Sequence, residues 1–134
     1  MLFRSGFGSS VLNKNIGSYN LALGAFSLMN NTSGSYNVAL SSFALWSNTT
    51  GNGGVALGNN ALRSNTTGNL NIAIGSQSLY SITTGSYNIG IGNNAGRYCL
   101  DGSTSNSTST NSIFIGKDTK ASANGQTNQP DSNW

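Results

Sequence analysis

The sequence predicts an all-β fold, a parallel β-solenoid (β-roll) with coils of 17 residues, and three observations carry that prediction. Glycines stand at 17, 34, 51, 68 and 85 with no insertion or deletion between them. The units they open read GSYNLALGAFSLMNNTS (17–33), GSYNVALSSFALWSNTT (34–50), GNGGVALGNNALRSNTT (51–67) and GNLNIAIGSQSLYSITT (68–84), and a fifth begins GSYNIGIGNNAGRYC at Gly85. Each unit carries a large–small–large triplet at its fifth to seventh positions, the alternation of a strand. Each also ends on turn-forming residues, as in Asn48–Gly51 and Asn65–Gly68. A short fixed period of this kind marks a stacked, quasi-one-dimensional architecture.

Taken from the N-terminus, residues 1–16 form a degenerate first coil or cap. Arg4-Ser-Gly-Phe-Gly-Ser-Ser-Val-Leu matches the repeat one residue short, with Gly6 in the small column and Phe7 in a large one. Residues 17–100 are the five-coil repeat. Counting from each glycine, position five is Leu21, Val38, Val55, Ile72 and Ile89, and position seven is Leu23, Leu40, Leu57, Ile74 and Ile91. Position eight is glycine in four coils and Ser41 in the other, which suits a tight bend. Position twelve is Leu28, Leu45, Leu62, Leu79 and then Gly96, and a second short strand is expected over positions 10–14. Seventeen residues are too few for a strand–helix–strand crossover, which needs about 30, and recurring glycine disfavours helix. Residues 101–110 are expected as a polar loop thrown outward, because Ile89 to Ile113 is seven residues longer than the period. Residues 111–134 hold the last coil and tail, with Ile113 and Ile115 in the large columns and Phe114 in the small one.

Position six is the small column: Ala22, Ala39, Ala56, Ala73 and Gly90. Two readings account for it. It is a close-packing column against other copies of the chain, three of them around an axis, which suits a thin solenoid with little core of its own. Otherwise it points into a narrow coil where only Ala fits. The first reading is the working expectation, with Val, Leu and Ile inside the coil and an intertwined or side-by-side homotrimer as the assembly. The Asn and Thr rows at positions 15 and 16 are expected to form hydrogen-bonded ladders. Tyr19, Tyr36 and Tyr87 share position three and are expected to serve the stack.

Composition excludes several functions. Gly, Ser, Thr and Asn make up 73 of 134 residues, charged residues only 7%, and the net charge is +3. From Gly17 to Thr84 the only charge is Arg63, so the clustered cations of a nucleic-acid surface are missing. No stretch approaches the ~20 apolar residues of a membrane span, and the first residues lack the apolar core of a signal peptide. There is no His, and the acids are Asp101, Asp118 and Asp131, which gives no carboxylate pair for glycoside hydrolysis. Serines lack a base, zinc spacing is absent, and Gly90, Gly92 and Gly96 belong to the repeat rather than to a phosphate loop. The chain is therefore expected not to be an enzyme, with no catalytic residue, cofactor or metal. Cys99, the single cysteine, reads as a small buried apolar side chain. The Asp101 loop offers one carboxylate, weak for calcium. Asn30, Asn31, Asn48, Asn65 and Asn106 match glycosylation sequons but are explained as repeated turns.

One row remains for binding. Position 13 reads Met29, Trp46, Arg63, Tyr80 and Arg97. It follows the inward Leu, so it should face outward and align from coil to coil. Trp, Tyr and Arg are enriched where proteins bind others, which makes it the candidate receptor-contact row. The alternatives are packing against a neighbouring chain, or plain variable surface.

Asn71–Gly75, Asn37–Leu40, Asn59–Leu62 and the Asn-Thr-Thr-Gly turns resemble the head repeats of trimeric autotransporter adhesins. The longer form at 83–96 is closer to repeats of bacteriophage tail-fibre proteins. The segments 111–121 and 124–129 resemble those near the end of such fibres. The resemblance covers roughly residues 4–129 and implies a left-handed β-roll, three chains to a head. The chain departs from the adhesins in repeat length and in lacking a coiled-coil stalk and membrane anchor. It departs from the fibres in ending Pro130-Asp-Ser-Asn-Trp134 where further β structure, and often a chaperone domain, would follow.

The expected function is a structural and adhesive segment of a trimeric phage tail or head fibre involved in host attachment, located in the virion, and a Met1 without a signal fits assembly in the cytoplasm. Its partners would be itself, other fibre or baseplate proteins and a host-surface glycan or protein, with no nucleic acid and no membrane insertion. The alternative is the head of a bacterial surface adhesin. An ice-binding solenoid is a remote third, because Thr49-Thr50 and Thr66-Thr67 are adjacent and sit at turns rather than on a flat strand face.

Overall fold

The computed structural model describes residues 4–99 and 105–121. Among them the protein is an all-β parallel solenoid with one strand per coil and no helix. The strands are β1 (Arg4–Phe7), β2 (Asn20–Leu23), β3 (Val38–Leu40), β4 (Val55–Leu57), β5 (Ile72–Ile74), β6 (Ile89–Ile91) and β7 (Ile113–Ile115), paired in sequence order in one seven-stranded sheet. Every pairing is parallel and in repeat register, Val38 on Val55 and Val55 on Ile72. The worn first coil pairs as its sequence suggests, Gly6 on Ala22 and Phe7 on Leu23, and the last places Phe114 on Gly90. Equal coil length keeps like on like, so hydrogen bonds run between coils around the whole circuit: Val38 N–H to Gly54 C=O at 2.8 Å, Leu45 N–H to Ala61 C=O at 3.1 Å, Thr49 N–H to Thr66 C=O at 2.9 Å.

The expected second strand over positions 10–14 does not form. Two consecutive turns replace it, closed by bonds such as Ala44 N–H to Ser41 C=O (3.3 Å) and Asn48 N–H to Leu45 C=O (3.1 Å). The cause is the backbone: positions 10 and 12 have positive φ in coil after coil, as at Phe43 (58°) and Leu45 (50°). A left-handed leucine costs about 1–2 kcal/mol. That cost is offset because the conformation turns Leu28, Leu45, Leu62 and Leu79 wholly inward, each side chain contributing about 1.5–3 kcal/mol by burial. At position eight the bend brings coils into backbone contact. A Cβ on Gly24 (φ 115°) would lie 2.6 Å from the Ser41 carbonyl carbon, which is why glycine dominates there.

The two strand faces are the reverse of the working expectation. Ala22, Ala39, Ala56 and Ala73 are 0% exposed within a single chain, and Gly90 is buried with them. The column Ala22, Ala39, Ala56, Ala73, Gly90 is therefore interior and cannot be a subunit-packing surface. The reason is space: a Cβ at Gly90 would already meet Leu79 Cγ at 2.7 Å. The leucines of position twelve occupy the coil's interior, and only Ala or Gly fits across from them. Positions five and seven point outward.

The last coil obeys the same volume rule by exchanging partners. Position twelve of the fifth coil is Gly96 instead of Leu, and Phe114 of the next coil fills the vacated space, 2% exposed. A Cβ on Gly96 would lie 2.5 Å from Phe114 Cδ2.

Beside this apolar interior runs a buried amide interior. Asn31, Asn48 and Asn65 form the expected ladder: Asn48 Nδ2 donates to Asn31 Oδ1 at 2.6 Å and Asn65 Nδ2 to Asn48 Oδ1 at 2.8 Å. A second ladder stands at position four, where the Oδ1 of Asn37 accepts from Gly54 N–H at 2.8 Å. The two converge, since Gly51 C=O accepts from both Asn37 and Asn48 at 2.9 Å. The Thr row bonds coil to coil through hydroxyls, Thr49 Oγ1 to Thr66 C=O at 2.9 Å and Thr66 Oγ1 to Thr83 C=O at 3.0 Å. Buried polar groups are costly unless paired, and here the repeat pairs each with its own copy one coil away.

In the fifth coil Tyr98 forms an antiparallel bridge with Ser105, and Asn106 N–H donates to Arg97 C=O at 3.1 Å. The stretch 105–110, expected within an outward loop, is already back in the wall: Ser107 C=O accepts from Thr83 N–H (2.8 Å) and Ser109 C=O from Asn88 Nδ2 (2.6 Å). Asp101 and its loop segment to Thr104, the segment 124–129 and Pro130–Trp134 lie outside the described residues.

Candidate functional site

Two outer surfaces stand out. The first is the outward face of the sheet. Positions five and seven are aliphatic on every strand from β2 to β7, and their side chains are half-buried to exposed, with Leu23 at 37%, Ile74 at 38% and Ile115 at 55%. The face spans five inter-strand steps, about 24 Å at the usual strand spacing. It carries no charged side chain from β2 to β7. Single exposed apolar side chains are ordinary; two unbroken columns of them are not.

The second surface is the position-13 row, which the turns hold on the outside of the coil. Met29, Trp46, Arg63, Tyr80 and Arg97 are all partly exposed, and coil stacking aligns them as expected. The row is packed along its own length. The Arg63 guanidinium carbon lies 5.2 Å from the Trp46 ring centroid and 5.7 Å from that of Tyr80, while Nη1 donates to Tyr80 Oη at 2.7 Å. Arg97 sits 4.7 Å from the centroids of both Tyr80 and Tyr98, and its Nη1 donates to Gln77 Oε1 and, at 3.3 Å, to Asn94 Oδ1. Cations and rings thus alternate, an arrangement worth about 0.5–2 kcal/mol per pair.

Sequence reasoning missed part of this surface. Phe26 and Phe43, at position ten, stack on each other with centroids 5.0 Å apart, and Arg63 lies 5.5 Å from the Phe43 ring. The left-handed backbone at position ten brings them beside position 13. Their recurrence in two successive coils was the available signal. Tyr19 and Tyr36 stack at 4.9 Å, with planes 9° apart, yet remain half-exposed or more.

Other features are structural. Asn31, Asn48, Asn65 and Asn106 are buried, so four of the five sequons are closed to glycosylation. Cys99 is partly buried against the core, in a parallel bridge with Ala121. Among the described residues no group of three His, Cys, Asp or Glu is gathered as for a metal ion, and no helix is long and apolar enough to cross a membrane. No family model, curated protein or solved structure matches the chain.

Proposed function

We propose that this chain is a structural and adhesive segment of a homotrimeric fibre, most simply a bacteriophage tail or head fibre engaged in host attachment. The observation that carries the reading is the uninterrupted aliphatic face of the sheet. A soluble wall does not ordinarily leave two such columns to water, and copies of the same chain offer the matching surface at every coil. The resemblance to fibre head repeats favours three copies. Val38, Leu40, Val55, Leu57, Ile72 and Ile74 take the place around the axis that the alanine column was expected to take. The rod so formed is nearly free of charge and hydrogen-bonded from coil to coil, which suits a rigid spacer. Three copies of the row Met29, Trp46, Arg63, Tyr80 and Arg97 would add weak contacts into avidity for a host-surface glycan or protein.

Sedimentation equilibrium tests the assembly. The wild-type chain is expected at three times its monomer mass. The double variant Val55→Lys/Ile72→Lys, which alters only outward side chains, is expected at monomer mass or to lose its fold for want of partners. A monomeric wild type, or a variant still trimeric, would refute the proposal.

A further inference from the structure

Arg63 is the only charged residue between Gly17 and Thr84, and the fold does not release it into bulk water. Trp46, Phe43 and Tyr80 flank its guanidinium, Tyr80 Oη accepts from Nη1, and Nε is buried with no partner among the described residues. Arg97 lies two coils further along, about 10 Å at the usual strand spacing, between Tyr80 and Tyr98. The only ion pair among the described residues is Lys117 with Asp118 at 3.8 Å, so no described carboxylate answers either guanidinium.

We propose that this row binds an acidic saccharide, its sugar carboxylates engaging Arg63 and Arg97 and its rings lying against Trp46 and Tyr80. The inference deepens the reading of the row as a contact surface on a fibre and rests on it. Four features favour this ligand. Rings on either side hold each guanidinium in place, so little freedom is lost when an anion arrives, and the planar fork matches a carboxylate. Aromatic faces alone would serve a neutral sugar; the addition of two cations to a row of aromatic side chains selects for an anion. No described carboxylate touches either guanidinium, Asp118 reaching Arg97 only through Asn94, so their attraction for an anion is not cancelled by direct contact. The coil step is comparable with one ring of a saccharide chain, so alternating cation and ring match alternating carboxylate and sugar face. A nucleic acid is disfavoured because two cations neutralise too few phosphates.

Isothermal titration calorimetry on the full chain tests the proposal, with hexagalacturonate and a sialic acid hexamer as acidic probes, maltohexaose as the neutral one and a single-stranded DNA hexamer as the polyanion control. At least one acidic sugar should bind, more tightly than maltohexaose and the DNA, and less tightly as salt is raised. Arg63→Gln and Arg97→Gln should each weaken it about ten-fold, and Arg63→Lys less than Arg63→Gln. Binding of neither acidic sugar, equal binding of maltohexaose, tighter binding of the DNA, or full affinity in both Gln variants would overturn the proposal. Sedimentation of the same samples separates the two ideas: loss of sugar binding with the trimer intact sinks this inference alone, and a monomer that still binds the sugar sinks the fibre reading alone.

Discussion

The exchange of Gly96 and Phe114 for the usual leucine and alanine predicts a strong energetic coupling between two residues that are distant in sequence. Phe114→Ala alone empties the space that the phenyl ring fills. At 2% exposure the loss belongs with other buried Phe-to-Ala changes, about 3–5 kcal/mol. Gly96→Leu alone forces a side chain into that same space: its Cβ would start 2.5 Å from Phe114 Cδ2 and 2.7 Å from Leu79 Cδ2. Overpacking of this kind costs about 1–3 kcal/mol. Together the two changes rebuild the arrangement of the earlier coils, where leucine at position twelve lies opposite a small residue at position six. The backbone permits it, since Gly96 has φ 65° and the leucines at that position have φ 47–50°. The double variant should therefore fall within about 1 kcal/mol of wild type, a favourable coupling of at least about 3 kcal/mol. Chemical denaturation followed by circular dichroism measures all three variants, at one protomer concentration because association would shift the apparent stability. Additive losses in the double variant would show that the two positions do not share one volume, and the account of the last coil would fail.

Two further changes probe the wall. Ser41 stands where other coils have glycine, at φ 130°, so Ser41→Gly should raise stability by about 1 kcal/mol; a loss of that size would mean the hydroxyl matters more than the strain. Asn48→Ala takes from Asn31 Oδ1 its side-chain donor and from Asn65 Nδ2 one acceptor, while Gly51 C=O keeps Asn37. One group orphaned and another half-paired should cost about 2–4 kcal/mol in the same unfolding assay, and a change below about 0.5 kcal/mol would show the ladder to be energetically idle.

Much of the architecture was legible in the chain because a repeat constrains itself. Equal spacing of Gly17, Gly34, Gly51, Gly68 and Gly85 implies equal coils, and equal coils bring each residue onto its own copy, so parallel pairing and register follow. The triplets Val38–Leu40 and Ile72–Ile74 announced strands for the same reason. The segment from position 10 to 14 was misread because its apolar spacing, Phe43, Leu45 and their copies, is that of a strand, whereas its conformation alternates through left-handed residues that composition does not reveal. Of the candidate site, the alignment of Trp46, Arg63, Tyr80 and Arg97 was visible; the inclusion of Phe26 and Phe43 was not, because it depends on that turn.

By itself the sequence determined the period, the place of the strand in each coil and the existence of two unlike strand faces. Only the tertiary structure decided which face is inside. Alternation separates Ala39 and Ala56 from Val38 and Leu57 but carries no sign, and hydrophobicity would put the larger side chains within. The sign is set by volume: a 17-residue coil already encloses an inward leucine and a column of buried asparagine amides, so only alanine or glycine fits in what is left, and the larger aliphatic side chains are turned out.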